Sequence, residues 1–454
     1  MIKDLKSIDN LSKPIQYLGG KNRVINSIIE QSLPYIDNGY VLDLFSGSSI
    51  VSQAFSSYGI KVISNDVQRF SSVLSNTYLN IDFEMNDLNV DVELLKISEV
   101  KENEILETYK YYVEKEDLLL QNKNTFGLLE LYQNFPLSWK NNVKGKSTKI
   151  NKIFKDMSKH INEPSFDIAP LFTSLYAGTY FGIKQSIKID ICRNRIEKLY
   201  INKKISKWQY NLFLTSLITV ISKIVNSAGK HFAQPIKTEN IIKNELLESR
   251  LHKNRNFDID ENFLETLLLN IKNVQERIIS NSNIVTNWSM ESLIKKIDSL
   301  PSIDVIYADP PYTAQQYSRF YHIPEILVDY KIPQLQLHRG SVTSGIYPEN
   351  KFKSRFCSVT KAPDAFIDLF GLAKKANSTL ILSYSDSKSD ETGNRRMITL
   401  EQLKAIKETV LPDYKMRIIE QDLKYKQHNH RILINKENQD SEVLIIFSKG
   451  ALKS

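Results

Sequence analysis

Residues 40–66 hold the pattern that most restricts the fold of this chain. An apolar run, Tyr40 to Phe45, ends in a Ser/Gly turn, and a helical stretch with Ile50, Val51, Ala54 and Phe55 follows. Gly59 breaks that helix, and Lys61-Val62-Ile63-Ser64-Asn65-Asp66 reads as a second strand ending on an acid. Strand, tight turn, helix and strand form the βαβ unit of a parallel, doubly wound α/β sheet. An amphipathic helix over about 24–33, with Ile25, Ile28 and Ile29 on one face, precedes it.

Strand-like runs return only much later, at Ile303 to Tyr307, Ser378 to Ser383 and Glu442 to Phe447. Between them, residues 90–162 are rich in Lys, Glu, Asn and Tyr with broken helical runs. Residues 166–225 are more apolar and are expected to pack on the sheet, and residues 240–283 are again charged and helical. The expected architecture is one α/β, Rossmann-like sheet interrupted by a long, largely helical insertion. Lys+Arg of 60 against Asp+Glu of 52 gives a net charge of +8, which fits a polyanionic partner. Only Cys192 and Cys357 occur, so a disulfide framework is excluded, and no Cys/His spacing predicts a metal. The charged start and the lack of a long apolar run predict a cytoplasmic protein with no membrane partner.

Three segments carry chemistry. Asp309-Pro310-Pro311-Tyr312 directly follows the apolar run at 303–308, and the two prolines must end that strand at a sheet edge where α/β proteins place ligands. The carboxylate and a proline carbonyl can accept hydrogen bonds from an amino group, and the tyrosine ring offers a stacking face; a plain Pro-Pro turn with a helix-capping Asp would read the same. Asp43-Leu44-Phe45-Ser46-Gly47-Ser48-Ser49 is a small-residue turn that lets backbone approach a cofactor, and Asp66 suits the two hydroxyls of a ribose. An ordinary strand-to-helix turn and an exposed turn acid are the alternatives for these. Tyr17-Leu18-Gly19-Gly20-Lys21 places two glycines and a cation before the first helix.

The order of these segments resembles the DNA adenine methyltransferases, in the subgroup whose cofactor segments precede the insertion and whose Asp-Pro-Pro-Tyr segment follows it. Tyr180 to Gln185, Gly229 to Gln234 and Gln315 to His322 also look family-like. The resemblance implies S-adenosylmethionine as methyl donor, with no metal, bound by Tyr17, Gly19, Gly20, Lys21, Asp43, Phe45, Ser46, Gly47, Ser48, Asp66 and Asp309. It implies that Asp309, Pro310, Pro311 and Tyr312 hold the target amine of an adenine flipped out of double-stranded DNA. It assigns 1–90 and 284–454 to the catalytic domain, with packing helices from about 166–235, and 91–165 with 236–283 to target recognition. A cognate restriction endonuclease is the further partner it suggests. Cytosine amino methylation shares the chemistry, and a DNA-binding relative without catalysis is the non-enzymatic alternative. Two departures stand out: Ser49 replaces a usual glycine, and Asn287-Trp288-Ser289 offers no acid where relatives often have one. The remaining histidines and Trp139, Trp208 and Trp288 are expected to be packing residues, with His231 and His322 the nearest to a DNA role.

Overall fold

The computed structural model describes residues 11–81, 100–140, 147–275, 282–311, 313–386, 396–420 and 441–449. The chain opens with α1 (Ile25–Ser32), β1 (Tyr40–Asp43), α2 (Ile50–Ser57), β2 (Val62–Asn65) and α3 (Arg69–Leu79). The insertion contributes α4 (Val100–Gln121), α5 (Thr125–Asn134), α6 (Thr148–Lys159), α7 (Leu171–Tyr176), α8 (Ile183–Ile201) and α9 (Lys207–Ile224). It continues through α10 (Thr238–Ile242), α11 (Glu245–Arg255) and α12 (Ile259–Gln275). The chain then returns to the sheet with β3 (Ile284–Thr286), α13 (Met290–Lys296) and β4 (Ile303–Ala308). After β4 come α14 (Tyr317–Phe320), α15 (His322–Asp329) and a small hairpin, β5 (Leu337–His338) and β6 (Ser341–Val342). The last elements are α16 (Ala362–Ala376), β7 (Thr379–Asp386), α17 (Leu400–Val410), β8 (Tyr414–Glu420) and β9 (Ser441–Lys449).

Among the described residues, seven strands form one sheet in the order β3-β2-β1-β4-β7-β9-β8. The first five are parallel, while β9 pairs antiparallel with both β7 and β8. Central strands need apolar side chains on both faces, and Val41, Leu42, Val305 and Ile306 are fully buried. β8 is different: six of its seven residues keep some exposure, as an outer strand allows. The chain leaves β1 toward β2 on one side, and β4 lies on the other side of β1. That reversal opens a crevice at the carboxyl ends of β1 and β4.

The apolar stretch over 166–225 does not pack on the strands. Its helices bury Phe172, Leu212, Phe213 and Leu217 with Phe70 and Leu74 of α3 and with Ile323 and Leu327 of α15, one layer away from the sheet. Helix α9 is buried nearly all round because it is the centre of this helical layer, and Ser206 with Gln209 caps its start reciprocally. Cys192 and Cys357 are separate buried thiols. No helix among the described residues is long and apolar enough to cross a membrane.

Candidate functional site

The loops leaving β1, β2, β3 and β4 at their carboxyl ends surround one cleft of about 850 Å³, counted to its open mouth. Tyr17, Phe45, Asp66, Asp309 and Pro311 line it, so the sequence-predicted segments converge. Gly19, Gly20, Lys21, Asp43, Ser46, Gly47, Ser48 and Pro310 are not among its lining residues. Tyr312 lies outside the described residues.

The turn after β1 is shaped by backbone that glycine tolerates best. Gly47 has φ +49°, and its N–H donates to Asp66 Oδ2 at 2.9 Å. The other Asp66 oxygen accepts from the Gln68 N–H at 2.8 Å. Asp43 faces α2, where the Ser52 amide and hydroxyl donate to its Oδ2 at 3.1 and 2.6 Å. Burial pushes the Asp43 carboxyl up to about 7 and the Asp66 carboxyl up to about 6. Both would hold a charge more readily beside a cation. The Ser46 hydroxyl is buried with no hydrogen-bond partner among the described residues. A buried hydroxyl normally has a partner, and among these residues this one lacks it.

Ser49, the departure noted in the sequence, occupies the left-handed region at φ +62°. A glycine would suit that conformation, and the strain is met by local bonding: the Ser49 hydroxyl accepts from Gln53 Nε2 at 3.0 Å. Gln53 in turn holds both backbone groups of Ser12, at 3.1 and 3.2 Å.

The amino-terminal turn is closed by the Gly20 N–H on the Tyr17 carbonyl at 3.2 Å, with Gly19 at φ +70°. Lys21 is buried, and its Nζ lies 3.1 Å from Asp309 Oδ1. This ion pair ties two segments nearly three hundred residues apart, a relation that neither shows in sequence. The residues after Asp309 complete the tie. Tyr321 stacks on Tyr17 at 4.6 Å and 7°, and its hydroxyl accepts from the Leu18 N–H at 2.7 Å. Glu325 of α15 accepts from the Arg69 and Phe70 amides, capping α3 just beyond Asp66.

Several wall residues had no sequence signal. Trp288, expected as a core anchor, lines the cleft, as do Glu291, Phe352, Arg355 and Phe356. Glu291 sits in the first turn of α13, two residues past the segment that lacks an acid, and pairs with Arg355 Nε at 2.9 Å. Asn65 locks this wall, since its amide group donates to the Leu44 and Trp288 carbonyls. His322 is buried, and burial pushes its pKa down to about 3, so it packs as a neutral ring against Tyr176, Tyr180 and Tyr347. His231 packs edge-on against Phe320 at 4.8 Å. His428 and His430 lie outside the described residues. A cleft with carboxylates, aromatic walls and a buried ion pair suits a cationic, ring-bearing ligand beside an amino group.

Residues 17–268 match the family model for D12 class N6 adenine-specific DNA methyltransferases. The chain belongs to this family. The D12 match spans the amino-terminal turn, the Asp43–Ser49 turn, Asp66 and most of the insertion, and it ends before Asp309. Among individual relatives, the modification methylase LlaI of Lactococcus lactis subsp. lactis is 22% identical over 439 residues, covering 96% of this chain and 55% of LlaI. The Type II methyltransferase M.FokI of Planomicrobium okeanokoites is 24% identical over 376 residues, covering 82% of this chain and 44% of M.FokI. The modification methylase StsI of Streptococcus sanguinis is 26% identical over 208 residues, 46% of this chain and 26% of StsI. The chain thus spans about half the length of the first two relatives. The D12 family is one of N6 adenine-specific DNA methyltransferases, and this member carries a mostly parallel α/β sheet with many helices.

Proposed function

We propose that this D12 enzyme transfers a methyl group from S-adenosylmethionine to the N6 amino group of adenine in double-stranded DNA, after the base has turned out of the helix into the cleft. The observation that carries the reading is the common cleft: Asp309 and Asp66 face one space, and Lys21 binds the amino-terminal segment to Asp309. The donor fits the residues present. The unpartnered Ser46 hydroxyl and the buried Asp43 and Asp66 suit a ligand with cationic and hydroxyl groups. Tyr17, Gly19, Gly20, Lys21, Asp43, Phe45, Ser46, Gly47, Ser48 and Asp66 would hold it, with Trp288 and Phe45 offering flat apolar faces.

S-adenosylmethionine supplies an electrophilic methyl on a sulfonium. The chain's own work is placement. Asp309 accepts a hydrogen bond from the target amine, and the Pro310 carbonyl accepts a second, which aims the nitrogen lone pair at the methyl. Lys21 fixes the Asp309 carboxylate through Oδ1, so the acceptor is oriented before DNA arrives. Turning out a paired base costs a few kcal/mol. Stacking on Tyr312 returns about 1–3 kcal/mol, and phosphate contacts of the basic chain supply the rest. Residues 91–165 and 236–283 read the target sequence, and 1–90 with 284–454 do the chemistry. This reading includes a cytoplasmic restriction-modification role beside a cognate endonuclease, for which the support is its similarity to modification methylases.

Asp309→Ala tests this. Methyl transfer to DNA should disappear while S-adenosylmethionine still binds in calorimetry, with a thermal melt confirming the fold. Undiminished turnover in the variant ends the reading.

A further inference from the structure

The hairpin β5–β6 has no role in the site described above, yet it is built as a stiff projection. Leu337 pairs with Val342 and His338 with Ser341, leaving Arg339 and Gly340 as a two-residue loop. Both loop residues have positive φ, +50° and +78°, the mirror-image turn that fits strand twist. Asn or Gly would be expected at the first loop position, so an arginine there is held against its own backbone preference. The base is anchored: Leu335 and Val342 pack on the helical core, and Gln336 bonds through its N–H to Tyr347 and through its C=O to Thr343. The tip is not. Leu337 is 61% exposed, and His338, Arg339, Gly340 and Ser341 are exposed with it.

The projection rises from the rim of the cleft. Lys351 bonds the Gln336 side chain, and the next residue, Phe352, lines the cleft while 42% exposed. Arg319 and Lys353 lie close enough to repel the Lys351 ammonium, with Glu349 as its counter-charge. Arg319 and Lys351 lie over the Tyr347 ring at 5.0 and 5.4 Å. A hairpin anchored at its base, with an exposed apolar side chain and cations at its foot beside a base-sized cleft, matches what entry into a stacked duplex requires: phosphate contacts for docking and an apolar wedge for the gap.

We infer that the Leu337–Val342 hairpin is a DNA wedge, in which Leu337 enters the duplex beside the target and Arg339 engages the base left behind. This deepens the DNA reading and rests on it. The wedge favours the extruded state, so it matters for a paired target and not for one already released.

The test uses the full chain, its own modification site mapped by sequencing, and two oligonucleotides carrying that site. One is fully paired, and the other has the target base opposite an abasic position. The double variant Leu337→Ser, Arg339→Asn keeps the loop, since Asn suits this turn. On paired DNA its kcat/KM should fall about tenfold or more, while on the abasic-opposed duplex it stays within about twofold of the parent. Affinity for S-adenosylmethionine should be unchanged, and the fluorescence rise of 2-aminopurine at the target position should be lost. Equal losses on both duplexes, or no loss on either, overturn the wedge. If the parent methylates no DNA at all, the functional reading falls and takes the wedge with it. If the parent is active and the variant matches it, only the wedge falls.

Discussion

Gly47→Ala probes the geometry on which the cleft depends. A Cβ at this position would lie 2.6 Å from Tyr17 Cζ and 2.7 Å from Cε1, well inside contact distance. The ring has little freedom to retreat, because Tyr321 stacks on it at 4.6 Å. The backbone adds a second cost, since Gly47 has φ +49°. An alanine in the left-handed region costs about 1–2 kcal/mol, and overpacking adds about 1–3 kcal/mol. The variant should therefore lose about 2–5 kcal/mol in urea unfolding, read from the midpoint at constant slope. The two terms separate in a double-mutant cycle. In a Tyr17→Ala background the clash is gone, and Gly47→Ala should cost only the backbone share, about 1–2 kcal/mol. The coupling energy is then about 1–3 kcal/mol. Additive effects, agreeing within about 0.5 kcal/mol, would refute the claim that Tyr17 closes over this turn.

Two further outcomes follow from the same wall. Ser49→Gly relieves left-handed strain of about 1–2 kcal/mol but loses a hydrogen bond worth about 1 kcal/mol, so its melting temperature should stay near the parent's. Ser49→Ala keeps the strain and loses the bond, so it should melt lower than Ser49→Gly; the reverse order contradicts the account of this departure. The second outcome concerns pH. Asp66 on the cleft wall and Asp43 buried behind it, with carboxyls raised to about 6 and about 7, ionise more readily beside a cationic donor. Affinity for S-adenosylmethionine, followed by calorimetry, should be full above these values and fall as pH drops through them, and Asp43→Asn should remove the upper step. Stability of the ligand-free protein moves the other way. The folded state holds these protons when the unfolded chain has released them, so their contribution falls as pH rises from 3.8 toward 7.

The strands that carry the site were legible because buried parallel strands are apolar runs bounded by turns. β1, β2 and β4 announce themselves through Val41-Leu42, Val62-Ile63 and Val305-Ile306, and the acids at their ends sit where the sheet places ligands. β3 has only three residues and follows a charged helical stretch, so no period is long enough to read. β8 is an outer strand whose exposed residues break the apolar signal. The loop after β4 was legible up to Pro311, but the wall opposite it was not. Residues 288–291 and 352–356 come to the cleft through topology, and no local pattern marks Trp288 or Phe352 as wall instead of core. The Lys21–Asp309 pair is of the same kind: both residues were singled out, but only the fold shows that each is the other's partner. The apolar segment at 166–225 misled for a simple reason. Burial periodicity says that a helix is covered, not by what, and here α3 and α15 do the covering.

The most direct measurement is a nucleoside analysis. DNA free of adenine methylation is incubated with the chain and methyl-labelled S-adenosylmethionine, digested, and resolved by mass spectrometry. Label in N6-methyldeoxyadenosine is the expected result. Label on deoxycytidine, or on no base, would contradict the assignment of this cleft to adenine.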